Sequence, residues 1–132
     1  MDIIPLEGVG PIRFGDSRQH VRNVLASPYT TFRKASGSNE TDAFDELDLH
    51  VYYGGEDLVE FIEAFSPASI SFCGLQLMGR ALGNIDEELR ALGCSPEQAD
   101  VGLKYESAGI ALYAPNGIVE SVGVFRRGYY DT

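Results

Sequence analysis

The sequence predicts an α+β fold in which two βαββ-type repeats form an antiparallel sheet with the helices on one face. The first observation behind this is a hairpin-like segment that occurs twice. Residues 49–65 run as two apolar stretches around Gly54-Gly55-Glu56-Asp57, and residues 110–125 do so around Pro115-Asn116-Gly117. Leu49, Val51 and Tyr52 align with Ile110, Leu112 and Tyr113. After a one-residue change in loop length, Leu58, Val59, Glu60, Ile62 and Phe65 align with Ile118, Val119, Glu120, Val122 and Phe125. The second observation is a helix-like stretch ahead of each hairpin. The third is size: 132 residues at 44% hydrophobic content suffice for one core without metals or disulfides. A single domain over 1–132 is expected, with repeats at about 8–66 and 67–127. Each hairpin has an apolar face to bury, and two helices on one side of the sheet cover both.

In the first half, residues 10–15 (GPIRFG) read as a short strand closed by glycine, with Asp16 or Ser17 placed to cap a helix. Val21, Val24 and Leu25 share one face of that helix, and Pro28 stops it. In the second half residues 70–78 are strand-like, Gly79 corresponds to Gly15, and Asn84 with Glu87 has the form of a capping box. Ile85, Leu89 and Leu92 recur at i, i+4 and i+7 as one buried stripe, and Gly93 suits the position just past a helix end. The predicted core comprises Val21, Leu25, Ile62, Leu89, Leu92, Leu112 and Val122. The repeat is weakest over residues 35–42 and 97–107. The first of these is small and polar and reads as a mobile loop.

Charge is the second signal. The formal net charge is −10, and residues 35–79 hold nine Asp and Glu with no Lys or Arg, whereas the first 34 residues sum to +2. Such a field repels nucleic acid and anionic membrane and speeds encounter with a basic partner. Its other use is solubility alone. No stretch has the roughly 18 to 20 apolar residues of a membrane span, and the start lacks a secretory signal, so a cytoplasmic location is expected. Cys73 and Cys94 lack the spacing of a zinc site and read as two buried or half-buried thiols.

The chemistry-bearing residues are sparse. Gly8-Val9-Gly10 with Gly15 departs from the dinucleotide spacing and reads as a turn into a strand. Glu60 and Glu120 occupy equivalent positions on the Leu58/Ile62 and Ile118/Val122 strand faces, where two carboxylates could do acid/base work or each pair with an arginine. His20 and His50 are the two histidines, and neither has a counterpart in the other repeat. Asp42, Asp45, Glu46 and Asp48 lack the calcium-loop pattern and read as a solvated acidic face. Tyr52, Tyr53, Tyr105, Tyr113, Tyr129 and Tyr130, with Phe61 and Phe65, are assigned mostly to core packing, although tyrosine is also favoured at interfaces. Alternation puts Tyr52 and Tyr53 on opposite faces, so at most one of them is core.

The run Gly10-Pro11-Ile12-Arg13-Phe14-Gly15-Asp16-Ser17 through Val21, Leu25 and Pro28 resembles the G-x-I-x-x-G-M-S-x-x-x-V-x-x-x-L-G-x-P signature of the SmpA/BamE-like repeat. It covers about a seventh of the chain and departs from the signature at Asp16, where the family has Met, and at Ala26, where it has Gly. The sequence shows no lipoprotein anchor of the family's kind, so its outer-membrane assembly role is not expected to carry over. The whole chain is similar to small uncharacterised bacterial proteins, some of them immunity proteins of toxin systems.

Together these readings lead to the expectation of a non-enzymatic binding module. In its sharper form it is an acidic immunity-like protein that neutralises a basic toxin or effector by covering its active surface. Asp45, Glu46, Asp48, Tyr52, Glu60 and Glu120 are the candidate binding residues, with no cofactor or metal, no nucleic acid and no membrane. The alternative is a small-molecule-binding protein or enzyme using a concave sheet face, with Glu60, Glu120 and a tyrosine as its polar groups.

Overall fold

In the computed structural model, which describes residues 1–131, the chain is mixed α+β and mostly sheet. The described residues form two helices and thirteen strands in two sheets. The smaller sheet has the order β3-β2-β1-β8-β9, from β1 (Asp2–Ile4), β2 (Gly8–Val9), β3 (Ile12–Arg13), β8 (Ser71–Phe72) and β9 (Leu75–Gln76). β1 and β8 are parallel, and the other pairs are antiparallel. The larger sheet has eight antiparallel strands in the order β10-β11-β12-β13-β7-β6-β5-β4. Its first four in sequence are β4 (Thr30–Arg33), β5 (Glu40–Phe44), β6 (Leu49–Tyr53) and β7 (Val59–Phe65). The second four are β10 (Glu97–Ala99), β11 (Gly102–Tyr105), β12 (Ile110–Tyr113) and β13 (Ser121–Phe125).

Ser17 starts α1 (Arg18–Leu25): its backbone is extended and its Oγ accepts a hydrogen bond from the His20 N–H at 3.1 Å. Ala26 ends α1 in the left-handed region, at φ 46°. This is the position where the resembled signature carries glycine, the residue that tolerates such a φ. The second helix, α2 (Leu82–Ala91), begins earlier than a cap at Asn84 would require. Ala81 stands at the N-cap without a side-chain hydrogen bond, and Asn84 lies inside the first turn. Because α2 stops at Ala91, Leu92 falls past the last turn and is 53% exposed, which removes it from the predicted core. Val21, Ile62, Leu89, Leu112 and Val122 are buried, and Leu25 packs partly buried against them.

Each helix is followed by four strands of the larger sheet, two more than the βαββ order. Residues 97–107, where the repeat is weakest, contain β10 and β11, and the polar segment ending at Asp42 runs into β5. β10 is a three-residue edge strand paired only to β11, so backbone hydrogen bonds rather than an apolar pattern define it. β5 reads as polar because Asp42 occupies a core position.

The register decides which side chains share a face. Asp42, Val51, Ile62, Val124, Ile110 and Tyr105 lie opposite one another across six strands, and all are buried. Both helices reach this face. Arg18 and Arg22 of α1 bond Asp42 at 2.9 and 2.8 Å, and Asp86 of α2 accepts the Tyr105 hydroxyl at 2.5 Å. Side chains at the intervening positions point to the face without helices.

Some contacts recur at matched positions of the two halves. Ser17 bridges Leu58 as Ala81 bridges Ile118. The Gly15 N–H donates to the Val59 carbonyl as the Gly79 N–H donates to that of Val119, both at 2.9 Å.

Leu89→Ala should cost about 2 to 5 kcal/mol in urea unfolding, because it empties a fully buried site. Leu92→Ala should change stability by less than about 0.5 kcal/mol. Equal losses at the two sites would show that α2 packs in a different register.

Candidate functional site

The helix-free face carries the aromatic residues that the core does not use. Phe32, His50 and Phe65 form edge contacts at centroid distances of 5.1 and 4.6 Å. Tyr52 stands edge-on to Phe61 at 5.5 Å, and Phe61 meets Tyr129 at 5.1 Å. Tyr130 packs against Phe125 at 4.9 Å, so the C-terminal residues cover one end of this face. The assignment of most of these rings to the core is therefore corrected. Tyr53 and Tyr105 are buried on the helix side, whereas Tyr113 and Tyr130 are exposed and Tyr52, Phe61, Phe65 and Tyr129 are half-buried. The opposition of Tyr52 and Tyr53 holds: Tyr53 donates to Asp42 at 2.9 Å on the core side, and Tyr52 donates to Glu63 at 3.0 Å on the other.

Glu63 sits near the middle of this face on β7, two residues from Phe61 and two from Phe65. One carboxylate oxygen accepts the Tyr52 hydroxyl and the other accepts the Ser121 hydroxyl of β13 at 3.3 Å. Among the described residues Glu63 forms no ion pair. Next to it the sheet is thin-walled, because Gly123 and Ala111 flank it in register. A Cβ at Gly123 would approach the Phe61 ring to 2.6 Å, so a larger residue there would displace that ring.

Three adjoining hollows cross the face. One, of about 350 Å³, lies between Asp45, Asp48, His50 and Phe65. The next, about 240 Å³, shares Phe65 and adds Glu63, Tyr113, Glu120 and Ser121. The third, about 320 Å³, shares Glu63, Tyr113 and Ser121 and reaches Asp100 and Val101 in the β10–β11 turn. Among the described residues five carboxylates line this trough, and no Lys or Arg does.

The residues singled out from sequence divide between this trough and other places. Asp45 and Glu46 are exposed in the turn between β5 and β6, and Asp48 ends that turn in a left-handed conformation at φ 54°. Tyr52 is on the helix-free face as Glu63's donor. Glu60 and Glu120 are matched in position but do not converge. The Arg126 N–H bonds the Glu60 carbonyl and the Ser66 N–H bonds that of Glu120, so they stand at opposite ends of the β7–β13 pair, about 20 Å apart along the strand. Neither belongs to the apolar strand row expected for it. Glu60 lies at a bulge, where the β6–β7 register shifts between Tyr52 and Tyr53. The Glu120 N–H and the residue after it both face Tyr113. The bulge at Glu60, and the place of Glu120 just ahead of β13, break the alternation that put them on the core side. Glu60 pairs with Arg126 at 3.6 Å, and Glu120 is exposed beside the trough.

The acidic segment is less free than its composition suggests. Asp42 is not part of a solvated face but fully buried, held by Arg18, Arg22 and Tyr53. Asp57 takes a two-pronged hydrogen bond from Arg18 at 2.8 and 2.7 Å, which holds its carboxyl below the usual range. His20 is exposed. Cys73 is exposed in the β8–β9 turn, not buried, and Cys94 is half-buried. Gly8 belongs to β2, where the Ile12 carbonyl occupies the space of a Cβ; it does not form a phosphate loop. Among the described residues no group of three His, Cys, Asp or Glu is arranged to hold a metal, and no helix is long and apolar enough to cross a membrane.

Glu63 was the residue missed. Its signal was available as an acid with aromatic residues at i−2 and i+2 on the non-core side of a strand, but its two hydroxyl donors come from other strands.

No protein-family model, curated protein or solved structure matches the chain.

The tyrosines give a pH signature. Burial, reinforced by the Glu63 charge at Tyr52, by Asp42 at Tyr53 and by the Asp86 hydrogen bond at Tyr105, raises all three phenols above their ordinary value near 10. The folded state thus favours the neutral phenol. Their contribution to stability is complete below about pH 10 and is lost as pH rises through the higher folded-state values. Phenolate absorbance should therefore rise later in the native chain than in denaturant, and the urea midpoint should fall above about pH 10. Coincident native and denatured titration curves would contradict this environment.

Proposed function

We propose that this chain is a non-enzymatic binding module that engages a basic protein partner through the helix-free face of its large sheet, in the manner of an immunity protein covering a toxin or effector. The observation that carries the reading is the trough itself: aromatic rings and five carboxylates share a face that no helix covers, with no lining Lys or Arg. Rings supply contact area at low entropy cost, and unpaired carboxylates supply charge of one sign. Arg18, Arg22 and Arg126 are engaged by Asp42, Asp57 and Glu60, so much of the chain's positive charge is internally satisfied. The remaining negative field repels nucleic-acid phosphates and favours a cationic protein surface.

The same reading takes the chain as two copies of one unit, of which the βαββ pattern is the part legible in sequence. The recurring bridges at Leu58 and Ile118 and the matched hydrogen bonds of Gly15 and Gly79 support it.

The test is kinetic. With a partner captured at low salt and then purified, D45N/E46Q/D48N should slow association several-fold at low ionic strength. The difference should shrink as salt screens charges beyond about 8 to 10 Å. Dissociation should change little. An association rate indifferent to salt and to these substitutions, or an acidic partner, would refute the reading.

A further inference from the structure

The trough is specific enough to suggest what enters it. It runs from the Asp48 and His50 end across β7, β13 and β12 to the β10–β11 turn, which is four interstrand spacings or roughly 19 Å. That is the length of about six residues of extended peptide at about 3.3 Å each. At its centre each Glu63 oxygen accepts one hydroxyl hydrogen bond, whereas an ionised carboxylate has about four acceptor sites. Acceptor capacity therefore remains, and Glu63 lines two of the hollows. Phe65 and Tyr113 line the same hollow as Glu63, and an aromatic face attracts a cation. The helix-free face already seats two of the chain's own ammonium groups in this way: Lys34 lies 4.9 Å from the Tyr52 ring centre and Lys104 lies 4.1 Å from that of Tyr130.

Resting on the partner reading above, we propose that the trough binds a short extended basic segment of the partner, about six residues long, with one lysine or arginine side chain seated on Glu63 between Phe65 and Tyr113. Glu120 and Asp100 flank the seat on its two sides and favour further basic residues in the segment. Tyr52 and Ser121 act as positioning residues that hold the Glu63 carboxylate at the centre of the trough.

The probe is acetylated hexa-arginine amide, titrated at low salt into the 15N-labelled protein, into E63Q and into E87Q. Glu87 is exposed on α2, on the helix side, so E87Q makes the same charge change away from the trough. Backbone shifts should concentrate at Glu63, Tyr113, Ser121 and Gly123. E63Q should weaken binding about tenfold and E87Q less than twofold. Y113A, which removes a ring that is 44% exposed, should weaken binding without loss of fold if E63Q proves unstable. Equal effects of E63Q and E87Q, or shifts on the helix side, would mean that only net charge is felt and would overturn the proposal. The two readings fail separately. If the purified partner still associates with the salt dependence lost in D45N/E46Q/D48N while hexa-arginine ignores Glu63, the seat is refuted and the basic partner stands. If the kinetic dependence is also absent, both fall.

Discussion

The antiparallel pairing of β7 with β13, from Ser121 opposite Phe65 to Phe125 opposite Phe61, joins two four-stranded meanders into one sheet and decides which side chains share a face. A local twofold between two antiparallel strands keeps each face on its own side. The helix after each small hairpin therefore lands on the same side, and one core forms from Asp42 on β5 to Tyr105 on β11. The opposite face becomes equally continuous. Two helices cannot cover both faces of eight strands, and the uncovered one collects Phe32, His50, Tyr52, Phe61, Glu63, Phe65 and Tyr113.

Electrostatics divides along the same boundary. On the helix side the two carboxylates that contact the core are paired: Asp42 with two arginines and a phenol, Asp86 with Arg90 and Tyr105. A buried carboxylate is tolerable only with such partners, and removing one of them leaves a buried charge exposed to its full desolvation penalty. On the helix-free side Glu63 has hydroxyl donors but no cation. A half-buried acid bonded only to neutral hydroxyls keeps acceptor capacity for a further partner, which is the physical difference between Glu63 and the two paired carboxylates.

Part of this was legible in the sequence. The β6–β7 and β12–β13 hairpins follow from apolar alternation around glycine-containing turns, and Ser17 from its capping position. Other elements were hidden because their cause is non-local. β5 carries Asp42 into the core only because α1 delivers Arg18 and Arg22, and no window around Asp42 contains either. β10 exists as an edge through backbone bonds to β11 and one ion pair, Glu97 with Lys104 at 3.6 Å, neither of which leaves an apolar pattern in the sequence. The bulge at Glu60 shifts parity by one residue and Glu120 stands just before β13 begins, so the alternation that assigns both glutamates to the core face holds at neither. The same parity rule, undisturbed from Phe61 to Phe65, places Glu63 on the open face among rings, yet Ser121 is 58 residues away and its contribution appears only once β7 and β13 pair.

The central claim is that partners are met on the helix-free face. Tyr113 and Tyr29 are almost equally exposed, at 44% and 43%, but lie on opposite sides of the sheet, since Tyr29 packs with Phe44 and beneath Arg22. Hydroxyl-radical footprinting of the protein bound to its purified partner compares them within one sample. The account predicts that oxidation of Tyr113 is suppressed on binding while that of Tyr29 is unchanged. Protection of Tyr29 with Tyr113 left open would contradict it.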